Sequence, residues 1–174
     1  VLAARGDLAR AGRLACQARD WQLLGDLAVG LVHTTLSALP RAIAERWLDA
    51  VPSPVADDPA FVLLRAAVLH ASDFTDPRID PLLDRAWHGM LGRRDQSGAS
   101  AVLGQAMITA HSRADLDRLV TVAEWGNQLD GPVSPAVTLL RRNVAAMRAE
   151  MGGDPEAALA EFAGTPVHEV SRAL

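Results

Sequence analysis

The feature that most constrains the fold is a recurring pair, in which a capping residue is followed directly by proline. Proline at the first helical position has no amide to leave unsatisfied, and Asp or Ser before it can accept bonds from the next turn. The pair occurs at Asp58-Pro59, Asp80-Pro81, Ser134-Pro135 and Asp154-Pro155, with Asp76-Pro77 as a rival to the second. These positions predict helix starts and therefore a chain built from short helices.

Apolar spacing and end signals between these pairs predict about nine helices. Leu116, Leu119, Val120 and Ala123 follow the i, i+3, i+4, i+7 pattern of a helix with one buried face. Glycines at Gly131-Pro132 and Gly152-Gly153 predict helix ends, because glycine readily adopts the left-handed cap. We find no alternating strand pattern. The predicted helices are 8–19, 21–38, 41–51, 59–71, 81–93, 99–112, 116–129, 135–151 and 155–162.

One predicted helix is apolar almost all round. The segment Phe61 to Leu69 is interrupted chiefly by Arg65, so we expect it to lie between other helices and not at an edge. The chain has no Tyr, three Phe and four Trp, so Ala, Leu and Val must supply most of the packing. The class is therefore all-α, and 174 residues suit one domain or one stretch of a repeat protein.

Composition also limits the partners and the compartment. A formal net charge of −4 disfavours nucleic-acid binding by this segment alone, since phosphate binding needs a concentrated basic face. No apolar run reaches the ~18–20 residues that span a bilayer, so no membrane contact is predicted. The one cysteine, Cys16, has no internal disulfide partner, which favours a small core residue in a reducing, cytoplasmic compartment. Both ends stop in mid-pattern, which predicts that the chain is part of a longer protein.

Patterns of catalytic or metal-binding residues are absent from the sequence. The chain has no Lys, which rules out the phosphate-binding G-x-x-x-x-G-K-[ST] loop, and His168-Glu169 lacks the second His of H-E-x-x-H. There is no G-x-S-x-G motif, and the "DQSGAS" stretch is better interpreted as a loop at a helix start. We therefore predict no catalytic, cofactor-binding or metal-binding residue and no enzyme activity. The histidines have no i, i+4 pairing; they are His33, His70, His88, His111 and His168.

Acidic residues near helix starts have two interpretations. Asp57-Asp58 and the pair Asp115 and Asp117 could be acid/base pairs, but helix starts favour acids through capping and the helix dipole. The same reasoning makes Asp7 of the Arg5–Asp7 "RGD" a capping residue and not part of an integrin-binding motif. We therefore interpret all of these acids as structural.

Two further groups of side chains could bind a ligand. Arg93-Arg94 and Arg141-Arg142 are the densest positive positions, and either pair is more typical of a solvated or ion-paired surface than of an anion site. The four tryptophans are more typical of contacts between helices than of ligand platforms. Trp87 and Trp125 are the two whose exposure on a concave face would favour a ligand role.

Two fragments indicate degenerate repeats. Residues 4–18 and 151–164 each place Gly-Asp before alanines and large apolar residues at helical spacing. Trp21 to Gly25 also matches the W-x₂-L-G opening of a tetratricopeptide repeat, although Ala28 stands where Tyr is expected. The pattern predicts helix hairpins stacked into a right-handed solenoid of tetratricopeptide-like repeats.

The segment "AERWLDAVPSPVADDPAFVLLRAAVLHAS" carries a family resemblance. Trp47-Leu48, Val51-Pro52, Pro59 and Phe61 to Ala66 fit a "W-L-x-x-L-P" pattern, followed by a proline-started helix of the form "P-x-L-x-L-L-x-A". This arrangement resembles the helical-repeat region of the MalT-like, large ATP-binding LuxR-family transcription regulators. The resemblance covers about residues 4 to 87, and it is generic helical-repeat likeness from residue 98 onward.

The resemblance implies a bacterial sensor domain. Such a domain would bind a small-molecule inducer or a regulatory protein and couple that event to self-association. It would use no cofactor of its own, because ATP belongs to an upstream module and DNA to a downstream helix-turn-helix. The alternatives are a tetratricopeptide-like adaptor that binds other proteins without a link to transcription, and an enzyme whose site is built from distant residues. The sequence does not predict which residues bind the ligand or partner.

Overall fold

The computed structural model describes residues 5–34, 40–129 and 135–161, and these residues form nine α-helices without a β-strand. This confirms the all-α class. The helices are α1 Arg5–Ala18, α2 Trp21–Thr34, α3 Arg41–Ala50, α4 Pro59–Ser72, α5 Ile79–Gly92, α6 Gln96–Ser112, α7 Leu116–Trp125, α8 Pro135–Met151 and α9 Pro155–Ala160. Short 3₁₀ turns lie at Ser53–Val55 and Gly126–Gln128. No helix in these ranges is long and apolar enough to cross a membrane.

The capping predictions are confirmed at two of the four pairs. The Asp58 carboxylate accepts a bond from the Ala60 amide at 3.0 Å, and Asp154 accepts from Ala157 at 2.9 Å. Helix α8 begins at Pro135, as predicted, although Ser134 lies outside the described residues. The end predicted at Gly131 also falls outside them.

The predicted start of α5 is wrong. The helix begins at Ile79, so Asp80 and Pro81 lie inside its first turn and neither Asp80 nor Asp76 is its cap. Proline is tolerated there because the first amides of a helix have no intrahelical acceptor. Asp76 instead accepts a bond from the Arg78 amide at 2.8 Å and shapes the loop before the helix.

Smaller corrections concern three other helix ends. Helix α1 begins at Arg5, so Asp7 belongs to its first turn and is not the capping residue. Helix α6 begins at Gln96 instead of residue 99, because the Asp95 carboxylate caps it by accepting from the Gly98 amide at 2.8 Å. Helix α7 ends at Trp125, and the tighter 3₁₀ turn covers most of the remainder predicted as helix.

Four helix joints share one backbone design. In each, the preceding helix ends in a left-handed residue and the next residue is an Asp that caps the following helix. The Asp amide also bonds back to the last turn, for example to the Ala110 carbonyl at 3.0 Å, as in a Schellman motif. The pairs are Arg19-Asp20, Arg94-Asp95, Ala114-Asp115 and Gly153-Asp154. Only the last uses glycine, so three joints hold a strained residue.

The main core lies around α4 and α6. Helix α4 packs against α2, α3, α5 and α6, and its buried residues face all sides, as the sequence predicts. Helix α2 contacts both α4 and α6, so packing is not limited to neighbours along the chain. A smaller cluster of Ala110, Leu119 and Val144 joins α6, α7 and α8.

Glycine permits two close helix contacts. A Cβ at position 12 of α1 would overlap the Trp47 indole of α3, and one at position 89 of α5 would overlap the Pro59 ring of α4. Trp47 is buried, which agrees with the prediction that the tryptophans lie at contacts between helices. The joint between α3 and α4 is therefore held from both sides by small residues on other helices.

Candidate functional site

A cluster of tryptophans, arginines and carboxylates lies where α5 meets α6 and α7. The indole rings of Trp87 and Trp125 stack with centroids 4.8 Å apart and planes 10° from parallel. The Arg118 guanidinium lies 5.0 Å from the Trp125 ring centroid, in cation–π geometry. Both tryptophans are buried, so the prediction that they belong to the contact between helices is confirmed and neither offers an exposed platform.

Two arginines at the α6–α7 joint pair with one face of α5. Arg113 donates from Nη1 to the Asp80 carboxylate at 2.5 Å, and Arg118 donates from Nη2 to Asp84 at 2.6 Å. Arg118 Nε lies 3.5 Å from the Asp80 carboxylate and donates a hydrogen bond to no acceptor among the described residues. Both guanidinium side chains are about one-sixth exposed, so these pairs are less screened by solvent than typical surface pairs.

Arg113 also fixes the loop between α4 and α5. Its Nε donates to the Phe74 carbonyl at 2.5 Å and its Nη2 donates to the Asp76 carbonyl at 2.9 Å. Within the loop, bonds from Arg78 hold the pKa of Asp76 at about 2, well below its ordinary value. The Asp76 carboxylate is therefore charged at neutral pH.

Sequence reasoning missed this ion-pair network. Asp80 and Asp84 are four residues apart, which places both carboxylates on one face of α5. Their partners Arg113 and Arg118 are more than 30 residues away, so no local pattern connects the two pairs. The spacing of the acids was the one available signal.

A buried polar group lies between α4 and α6. The Thr109 hydroxyl donates to the Gln105 carbonyl at 2.9 Å and lies 3.1 Å from Nδ1 of His70. Thr109 and Gln105 are buried and His70 is half-buried. Burial, and then the positive charge of Arg113, lowers the pKa of His70 below its ordinary value.

The acidic candidates prove to be structural. Asp58 caps α4, and its second oxygen accepts from Arg93 Nη1 at 2.6 Å. Asp57 pairs with Arg85 at 2.5 Å on the exposed surface. Asp115 caps α7 by accepting from the Arg118 amide at 2.9 Å.

The remaining candidates do not converge. Asp117 is exposed in the first turn of α7, and Arg94 is an exposed, left-handed residue. Arg142 is half-buried and interacts with other groups of the protein. The side chain of Arg141 and all of His168 lie outside the described residues. Cys16 is half-buried against the core, and burial raises the pKa of its thiol. In the described part of the chain, no three His, Cys, Asp or Glu residues are grouped to hold a metal ion.

A small cavity of about 170 Å³ lies between α7 and α8. Val120, Ala123, Val144 and Ala145 form its apolar part, and the exposed side chains of Glu124, Asn127 and Arg148 complete its lining. Its volume suits one side chain more than a drug-sized ligand, whose sites are typically ~300–1,000 Å³. None of the sequence candidates lines it.

Asp80 and Asp84 pair with arginines, and Asp115 caps a helix. The Thr109 hydroxyl beside His70 is fully buried and gives its proton to the Gln105 carbonyl. Comparison with protein-family models, with curated proteins and with solved structures gave no match.

Proposed function

We propose that this chain is the helical sensor domain of a bacterial transcription regulator of the MalT-like, large ATP-binding LuxR family. Its role is to bind a small-molecule inducer or a regulatory protein and to pass that event to a self-association equilibrium. It performs no catalytic step and carries no cofactor of its own. Under this proposal the protein acts in the cytoplasm and reaches DNA only through a separate helix-turn-helix domain.

The observation that carries the proposal is the order in which the hairpins pack. The helices α2, α4, α6 and α8 contact one another in succession, and α1, α3, α5 and α7 each pack against the helix that follows. Stacked hairpins of this kind are the scaffold of helical-repeat proteins, whose broad surfaces bind ligands or proteins. We further propose that they form one domain with the right-handed superhelical path of tetratricopeptide-like repeats, curved tightly where α2 meets α6.

The joint that carries the family resemblance supports the proposal. Trp47 of α3 is buried, Asp58 caps α4, and the residues Phe61 to Leu64 enter the core. These positions fit the resembled pattern, and each has a packing or capping role here. The resemblance therefore concerns the scaffold and not a ligand-binding surface.

A ligand acts on such a scaffold by population shift. A ligand that prefers one packing of the hairpins moves the equilibrium by its differential affinity for the two packings. A fivefold preference corresponds to about 1 kcal/mol, which is small compared with the stability of a domain. The coupling therefore needs only a modest change at each hairpin.

The test is to determine the reading frame on both sides of this segment. We expect a P-loop nucleotide-binding module upstream and a LuxR-type helix-turn-helix downstream. If both are absent, the regulator proposal fails and the tetratricopeptide-like adaptor replaces it. A second test measures fluorescence polarisation of labelled duplex DNA with residues 1–174 at physiological salt; sequence-specific binding would contradict the proposed division of roles.

A further inference from the structure

The cavity between α7 and α8 combines an apolar floor with two opposite charges. Glu124 and Arg148 line it with exposed side chains, so its mouth is open to solvent. Each of them lies four positions after a floor residue of its own helix, which places the charge and that floor residue on one helix face. The floor consists of buried or half-buried side chains; they are Val120, Ala123, Val144 and Ala145.

Neither of these two charges is neutralised within the described part of the chain. The arginine–carboxylate pairs of the structure involve other residues, and Glu124 and Arg148 do not pair with each other although both line one cavity. Asn127, which also lines the cavity, already interacts with another group of the protein. A ligand that carries an ammonium and a carboxylate group would pair with both charged side chains at once.

The size and lining of the cavity select among ligand classes. Protein cavities of about 150 Å³ hold a molecule of the size of benzene, so a volume of about 170 Å³ suits a ligand of about ten non-hydrogen atoms or fewer. Glu124 repels a purely anionic ligand and Arg148 repels a purely cationic one. A sugar needs several hydrogen-bonding groups, which valine and alanine side chains do not offer. An aliphatic amino acid has both charges on one carbon atom and one apolar side chain.

We propose that this cavity binds a free aliphatic α-amino acid of the size of valine or leucine. The carboxylate of the ligand pairs with Arg148, its ammonium group pairs with Glu124, and its side chain lies on the apolar floor. The proposal rests on the sensor function proposed above for its regulatory role, in which the bound ligand favours one packing of α7 against α8. Both charged side chains are exposed, so the pairing is weak and we expect a dissociation constant on the order of 1 mM.

The experiment follows the backbone amide signals of the full chain by NMR while L-leucine is added to about 20 mM. We expect saturable shifts in residues 120–127 and 144–148 of the unmodified protein. Arg148→Gln and Glu124→Gln should each bind leucine about threefold more weakly, which is the effect of losing one exposed ion pair. Arg10→Gln is the matched control, because Arg10 is an exposed arginine of α1 outside the cavity, and it should bind leucine as the unmodified protein does.

Analogues of leucine give a second test on the unmodified protein, which decides the question even if a variant fails to fold. Isoamylamine lacks the carboxylate, isocaproate lacks the ammonium group and glycine lacks the apolar side chain, so each should bind more weakly than leucine. N-acetylleucine N-methylamide lacks both charges and represents a leucine side chain of a partner protein. It should also bind more weakly than leucine.

Two results would overturn the proposal. One is the absence of saturable shifts with leucine, and the other is binding of the neutral N-acetylleucine N-methylamide as tight as that of leucine, which would assign the cavity to a protein partner. Either result leaves the regulator proposal standing, because the reading frame on both sides of this segment tests that proposal. Absence of the flanking modules would refute the regulator role without affecting the binding of leucine.

Discussion

Replacing Arg94 by glycine should stabilise the protein. Arg94 has a φ of +57° at the joint between α5 and α6, a conformation that costs a non-glycine residue ~1–2 kcal/mol. Glycine removes that strain but loses ~0.5–1 kcal/mol more backbone entropy on folding. The difference leaves a gain of about 0–1.5 kcal/mol, with its midpoint at about 0.75 kcal/mol, or a rise in Tm of up to about 6 °C for a chain of this length.

The control uses the same substitution in a different conformation. Arg13 is exposed in the middle of α1, so Arg13→Gly should lower the free energy of unfolding by ~0.5–1 kcal/mol. Both variants remove one exposed arginine and therefore change the net charge equally. Urea denaturation followed by circular dichroism gives the free energies, and unchanged m-values would show that the comparison is valid.

The reciprocal change completes the test. Gly153 has a φ of +78°, and a Cβ there would meet no atom within 4 Å. Gly153→Ala should therefore destabilise the protein by about 1 kcal/mol, through the strain of a left-handed alanine backbone alone. The reasoning is refuted if Arg94→Gly destabilises as much as Arg13→Gly, because the left-handed joint would then carry no strain.

Three further predictions concern packing, charge and capping. Gly12→Ala should destabilise the protein by ~1–3 kcal/mol, because the new methyl group overlaps the Trp47 ring. Gly92→Ala should not, because the new methyl group meets no atom within 4 Å. Thermal unfolding compares the stability of the two variants. Asp80→Asn should cost ~1–3 kcal/mol in urea denaturation, because it removes the carboxylate shared by two poorly exposed arginines. Asp115→Ala should cost ~0.5–2 kcal/mol in the same assay by leaving the start of α7 uncapped.

Each of these predictions has an outcome that contradicts it. Equal stability of the Gly12 and Gly92 variants would mean that α1 and α3 do not approach as described. An Asp80→Asn protein as stable as the unmodified one would show that the arginines are solvated well enough without it. An unchanged Asp115→Ala protein would mean that water or another group caps α7.

Local signals were sufficient to predict the helices but not their packing. The caps at Asp58-Pro59 and Asp154-Pro155 involve only residues within four positions of one another, and both form as predicted. The start of α5 was mispredicted because Asp80 binds Arg113, a residue 33 positions away, instead of its own helix end. A capping pattern shows only that a side chain is able to cap a helix. In this case the Asp80 carboxylate binds the distant Arg113.

The contacts between helices depend on geometry that the sequence does not express. The burial of Trp87 and Trp125 was favoured from their type, but their stacking under Arg118 requires α5 and α7 to be adjacent. No sequence motif indicates the contact of α2 with α6 or the cavity between α7 and α8. Left-handed joints at Arg19, Arg94 and Ala114 were likewise missed, because glycine is the usual signal for that conformation.

The central claim is that this domain controls a nucleotide-dependent self-association, and sedimentation velocity on the complete reading-frame product tests it most directly. The measurement compares the intact protein with a version that lacks residues 1–174, each with and without Mg·ATP. We predict that Mg·ATP changes the distribution of association states and that removing residues 1–174 alters this response. The same response to Mg·ATP in both proteins, or no response in the intact one, would contradict the account.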